Sequence, residues 1–255
     1  MRVTNPLEDE GESFISHLIE LRTRLVRSAL AVVAVFLCLF PFASQIYDLL
    51  AEPMMHALPA GSHMIATGVV TPFMVPLKVT LMVAFVIALP IVLYQAWSFV
   101  APGLYTHEKK LAFPLIVSSY LLFLTGIAFC YEFVFRTVFS FINQHAPASV
   151  SVAPDIESYL SFVLTMFLAF GTTFEVPIVV VVLVRFGIVT VATLSSWRPY
   201  IVVGAFAIAA VVTPPDAVSM LLLAFPLWFL FEAGLFAARF ITPRPPSEKP
   251  ASAKP

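Results

Sequence analysis

Charge is scarce in this sequence. Of its 255 residues only 11% are Asp, Glu, Lys or Arg, while 60% are hydrophobic. A soluble domain carries about a quarter charged residues and about half apolar ones. That shortage excludes an ordinary soluble domain. The net charge of −1 excludes the basic field that a nucleic-acid partner needs. Cysteine is limited to Cys38 and Cys130, far apart in different apolar runs. Without a CxxC pair they read as packing residues rather than as a disulfide or thiolate site. Glycine is limited to 9, and no GxxxxGK[ST] loop occurs, so a nucleotide site of that kind is excluded. HExxH and GxSxG are absent too, and the five histidines do not cluster at metal-ligand spacing. An enzyme reading has no residues to name, and no cofactor or metal is expected. The opening stretch, MRVTNPLEDEGES, lacks the basic flank and short apolar core of a cleaved signal peptide.

Long apolar runs are what the chain has instead, with 25 phenylalanines and a mean hydropathy of +0.96. A membrane helix needs roughly 20 apolar residues to cross about 30 Å of hydrocarbon. Six runs qualify as candidate spans: 25–44, 76–98, 111–138, 158–184, 199–212 and 216–238. The expected fold class is therefore an all-α integral membrane protein with six transmembrane helices. Residues 1–240 are read as a single transmembrane domain with an N-terminal cytoplasmic amphipathic segment, and the Pro-rich tail 241–255 as disordered.

Of the 14 basic residues, all but Lys78 and Arg136 fall on the side of the two termini. The positive-inside rule then places both termini in the cytoplasm. The fifth span is fenced between Arg198-Pro199 and Thr213-Pro214-Pro215-Asp216. Its roughly 14 residues reach only about 21 Å, so spans five and six must thin the bilayer or cross part of it. Thr213 can cap the sixth helix, Pro214 suits its first position, and Asp216 falls three after the cap. Residues 45–75, with Pro53, form a long segment on the outer side.

Three constellations stand out. In SHLIELRTRLVRS, residues 16–28, Phe14, Leu18, Leu21 and Leu25 share one helical stripe. His17, Glu20, Arg24 and Arg27 share the opposite face, with Glu20 four before Arg24, the favourable order for a helix pair. Periodicity alone favours a surface helix lying at the membrane. In WSFVAPGLYTHEKK, residues 97–110, Trp97, Phe99 and Tyr105 read as an interfacial aromatic belt. Pro102-Gly103 makes a turn there, and Glu108 taken alone reads as a solvated loop charge. In the fourth span Glu175 interrupts FLAFGTTFEVPIVVVV. Ser161, Thr165, Leu168 and Thr172 lie within about 80° of it on the wheel. Pro177 deprives a carbonyl of its helical partner. A wet or protein-facing groove fits these features, and so does a protonated Glu175 bonded to a neighbouring helix.

Taken together, HLIELRTRL, LYQAWSFVAPGLYTHEK, SYLSFVLTMFLAFGTTFEVP and RPYIVVGAF…TPPD resemble the TatC family, the multi-spanning subunit of the twin-arginine protein translocase. The likeness runs from about residue 13 to 240. It implies a concave, glove-like bundle with short fifth and sixth helices in the bacterial inner membrane. It implies a receptor for twin-arginine signal peptides, in a hetero-oligomer of several copies with the single-span subunits TatB and TatA. The complex would move folded proteins using the proton-motive force. Glu20 and Glu108 match the family's signal-binding acids, and Arg22 and Phe99 match positions near them. Two carboxylates facing two guanidiniums discriminate Arg-Arg from Lys-Lys, because only the guanidinium is a rigid fork. Pro53 matches a position of functional weight in the first outer loop. Glu175, with Thr172 and Thr165, matches an intramembrane polar groove. The partner-docking cluster keeps Thr213, at the outer turn with Pro214 and Asp216. It has Met220 where a Gln is familiar, and Met cannot donate a hydrogen bond.

Readings of other classes compete. A proton-coupled solute transporter would use Glu175 as a carrier, but the chain shows no repeated halves. A membrane scaffold lacks catalytic motifs equally well, and peptide-dependent binding separates it from a translocase. An intramembrane protease lacks a nucleophile.

Overall fold

The computed structural model describes residues 6–57, 65–100, 109–145, 155–213 and 217–240. Helix α1 (Pro6–Leu39) turns through a 3-10 segment at Phe40–Phe42, where Pro41 sits, into α2 (Ala43–Ala57). Helix α3 (Thr71–Val100) follows, then α4 (Lys109–Phe129). A wider π turn at Cys130–Phe135 joins α4 to α5 (Arg136–His145). Helix α6 (Ile156–Phe174) is separated from α7 (Val176–Arg185) by Glu175 alone. The short α8 (Val191–Ser196) precedes α9 (Arg198–Val212) and α10 (Ala217–Ala238). Prolines 76, 90, 114 and 226 lie inside helices, as membrane helices tolerate.

Among the described residues five stretches are long and apolar enough to cross a membrane: Ile15–Ala51, Thr71–Phe99, Phe113–Val138, Ile156–Arg185 and Ala217–Ala238. Helix α9 is apolar but shorter, at 15 residues, about 22 Å of rise. Leu25, Leu30, Leu37, Phe225 and Phe229 are all more than half exposed. Apolar surface on that scale belongs in hydrocarbon rather than water.

The chain forms two compact units. One comprises residues up to Tyr120 together with Val150–Leu164. In it α1 and α2 pack on α3, and Val75, Val79 and Leu160 are buried against Ile46, Tyr47, Leu50, Ile156 and Tyr159. The other comprises Leu121–Ser149 and the chain from Thr165. There α7, α8 and α10 bury Val180, Val184, Leu194, Phe231, Leu235 and Ala238 together. Gly234 of α10 is what lets α7 come so near. A Cβ at that position would lie 2.9 Å from the Cα of Pro177.

Three sequence expectations are revised. Residues 16–28 are not a separate surface helix, because α1 runs unbroken to Leu39. The segment 45–75, read as a loop on the outer side, is helical over its first part, as α2. Trp97 does not belong to an aromatic belt. It is buried, and its indole N–H donates to Ser119 Oγ at 3.1 Å, the partner that a buried Trp requires. Cys130 is buried and Cys38 exposed, both as free thiols.

Candidate functional site

The amphipathicity of α1 is turned inside out. Its apolar stripe is the exposed side, with Leu18, Leu21 and Leu25 outward. The opposite, polar face meets α3, where the His17 imidazole stacks on the Phe99 ring at 4.4 Å between centroids. One turn further, Glu20 Oε1 accepts from Arg24 Nε at 2.9 Å and from the same guanidinium's Nη2 at 2.5 Å. Its other oxygen, Oε2, lies 4.0 Å from His17 Nδ1. Glu20, His17, Arg24 and Phe99 thus form one polar-aromatic cluster where the middle of α1 passes the end of α3. Arg22, two residues from Glu20, lies on the far face of α1 and is exposed, since successive helical positions turn by about 100°. Glu108 lies outside the described residues.

Along α6, Thr165, Leu168 and Thr172 are exposed in a row, and Glu175 ends it. Pro177 enters at the start of α7, and the helix register breaks there. The Glu175 N–H donates to the Thr172 carbonyl three residues back, at 3.1 Å. Both carboxylate oxygens are buried.

At the far end of α9, Thr213 is extended (φ −92°, ψ 157°) and buried. Its hydroxyl donates back to the Ala209 carbonyl at 2.8 Å, so its proton serves α9. Met220 is half-buried on α10. Pro214 and Asp216 lie outside the described residues, and Pro53 falls within α2.

Sequence reading missed two clasps. Arg198 grips Glu232 through two bonds, Nε to Oε1 at 2.6 Å and Nη2 to Oε2 at 2.8 Å. Lys78 reaches Glu157 at 2.8 Å, and Thr71 donates to the same carboxylate at 2.9 Å. Beside it Asp155 accepts from Thr67 and Ser158. These hydrogen bonds, the backbone one from Ser158 foremost, hold its carboxyl down at about 2. The partners lie tens of residues apart, and only the unexplained isolation of Lys78 signalled one of them. No group of three or more metal-ligating side chains occurs among the described residues.

Long apolar helices with exposed apolar faces, broken in one span by an acid, define a multi-span membrane protein. Residues 16–226 match the family described as Sec-independent protein translocase protein (TatC). Over 236 residues the chain is 51% identical to the TatC of Haemophilus influenzae, covering 92% of each. It is 49% identical over 232 residues to that of Escherichia coli K12, covering 91% of this chain and 90% of the relative. A crystal structure of the twin arginine translocase receptor TatC superposes with a TM-score of 0.78 at 37% identity, over 88% of this chain and 98% of the other. The chain belongs to the TatC family. It is a subunit of a protein translocase and works in protein transport.

Proposed function

We propose that this protein is the receptor for twin-arginine signal peptides and the core of a translocase that moves folded proteins across the bacterial inner membrane, driven by the proton-motive force. The cluster of His17, Glu20, Arg24 and Phe99 is the observation that carries the reading. Glu20 engages a guanidinium already, that of Arg24, and through only one of its oxygens. Oε2 is left to meet a second guanidinium, and a planar fork uses such an acceptor better than an ammonium does. Glu108 supplies the second carboxylate, and Arg22, on the far face of α1, acts outside the Glu20 cluster. The protein acts as a single transmembrane domain of six spans, α9 being the fifth, in a glove-like form with both termini cytoplasmic. TatB and TatA assemble with it in several copies. TatB docks along α9, at Thr213, Pro214, Asp216 and Met220, and cross-links from TatB confined to α3 overturn that placement. Pro53, within α2, carries functional weight in the first outer segment, and Glu175 with Thr172 and Thr165 lines a polar path.

The test is cross-linking of a photoreactive precursor bearing Arg-Arg or Lys-Lys to membranes containing this protein. Only Arg-Arg should cross-link, and Glu20→Gln or Glu108→Gln should abolish it. Binding indifferent to the arginines and to both acids returns the two carboxylates to being surface charges.

A further inference from the structure

Helix α10 carries two adjoining hollows on one face. The first, of about 530 Å³, is walled by Phe133 and Phe174 on one side and Phe225, Trp228 and Phe229 on the other. Its walls carry no charged side chain. The second, of about 420 Å³, shares Phe229 and continues past Glu232 and Phe236 to Arg239. Phe225, Phe229, Glu232, Phe236 and Arg239 succeed one another at steps of four and three, the spacing of a single helical face. From Phe225 to Arg239 that face rises about 21 Å. One leaflet, half of a bilayer of about 40–45 Å including headgroups, has the same depth.

We infer that this face binds one anionic phospholipid, its chain in the aromatic hollow and its phosphate at Arg239. Charge decides the occupant. Glu232 is neutralised by Arg198 through two hydrogen bonds. Arg239 is exposed and makes no ion pair or hydrogen bond from its guanidinium with any described residue. Two cations and one anion leave a single positive charge where the apolar hollow gives way to the membrane surface. Each lipid with a net negative headgroup offers the matching pair of features at the matching distance. A partner's transmembrane helix would match only if it carried a carboxylate at that depth. The site involves no residue of the peptide-binding proposal.

The experiment is native mass spectrometry of the full chain in detergent, titrated with phosphatidylglycerol or phosphatidylcholine of equal chain length. Phosphatidylglycerol should bind roughly five-fold more tightly, the preference that one arginine near an anionic headgroup confers. Arg239→Gln should bring the two lipids to parity, and Arg239→Lys should keep the preference. Phosphatidylglycerol brominated on its chain should quench a share of the fluorescence that Trp228→Phe removes. Equal binding of the two lipids by the unaltered chain, or a preference that survives Arg239→Gln, overturns the inference. So does protection of Trp228 from brominated lipid by a single-span partner at every lipid concentration.

Discussion

The imidazole of His17 lies flat against the Phe99 ring, with the planes inclined by 22°, and this stack joins the N-terminal helix to the end of α3. It also holds His17 within 4.0 Å of Glu20 Oε2, so the ring contact orients the carboxylate's surroundings. A stacked pair contributes about 0.5–1.5 kcal/mol beyond area burial. Phe99→Ala should therefore weaken Arg-Arg peptide binding by about two- to ten-fold, and Phe99→Tyr should retain it. Fluorescence titration of a labelled signal peptide reads both. Equal affinity in all three proteins would show that the stack has no part in recognition.

On the proposed receptor reading Arg24 competes with the incoming peptide, because its guanidinium occupies Glu20 Oε1. Side-chain exposures of 22% and 38% for Arg24 and Glu20 place the pair among the weakly coupled ones, worth about 0–1 kcal/mol. Arg24→Gln should release that oxygen and tighten Arg-Arg peptide binding by up to about five-fold. A loss of affinity would mean instead that Arg24 holds Glu20 in its binding geometry.

Glu175 ends the exposed row of Thr165, Leu168 and Thr172 while hiding its own carboxylate oxygens. A buried charge in a membrane span is costly unless it has polar company, and is by default a functional group. Glu175→Gln keeps the shape and removes the ionisable group, so the protein should fold and insert normally while transport of a folded precursor falls. Full transport by Glu175→Leu would show that the acid is dispensable.

Much of this fold was legible in the sequence because membrane helices declare themselves by length and hydropathy alone. The six runs reappear as helices or helix pairs, and Pro177 marked the break between α6 and α7 that the backbone shows. What was illegible depends on partners distant in sequence. Arg198 and Glu232 are 34 residues apart, and nothing local pairs them. The π turn at Cys130–Phe135 has neither Gly nor Pro to announce it. Trp97 was misplaced because a Trp near a span end has the same local signature whether it faces lipid headgroups or a buried Ser119. The face of α1 was illegible for a related reason. A helical wheel separates polar from apolar without saying which side meets protein, and in lipid the apolar side turns outward.

Asp155 ties the start of α6 to the strand-like stretch before α3. Its two oxygens take Thr67 and Ser158, and Ile156 N–H donates to the Ile65 carbonyl at 3.0 Å. Because the hydrogen bonds lower its pKa from 3.8 to about 2, the tie is at full strength above the ordinary carboxylate value. It is lost as pH falls through the folded value. Amide exchange at Ser158 should stay slow down to about pH 4 and lose its protection between there and about pH 2. Asp155→Asn should accelerate exchange at neutral pH and remove that acid transition. Unchanged exchange in the variant would mean that the Ile65 bridge suffices without the carboxylate.

Two glycines of the second unit should respond oppositely to the same substitution. At Gly234 an added Cβ meets Pro177 Cα at 2.9 Å, Val180 Cβ at 3.0 Å and the Pro177 carbonyl oxygen at 3.3 Å. Backbone supplies two of those three neighbours, so relief requires α7 and α10 to part. Overpacking of this kind costs about 1–3 kcal/mol, and Gly234→Ala should lower thermal stability in detergent accordingly. At Gly204 in α9 an added Cβ meets nothing within 4 Å. There the methyl group only limits the backbone freedom of the unfolded chain, a gain of up to about 1 kcal/mol. Gly204→Ala should therefore leave the melting temperature unchanged or raise it. Stability lowered equally by both substitutions would mean that α9 presses its Gly204 face against a neighbour in the assembled protein, and that the surface is an interface rather than lipid-facing.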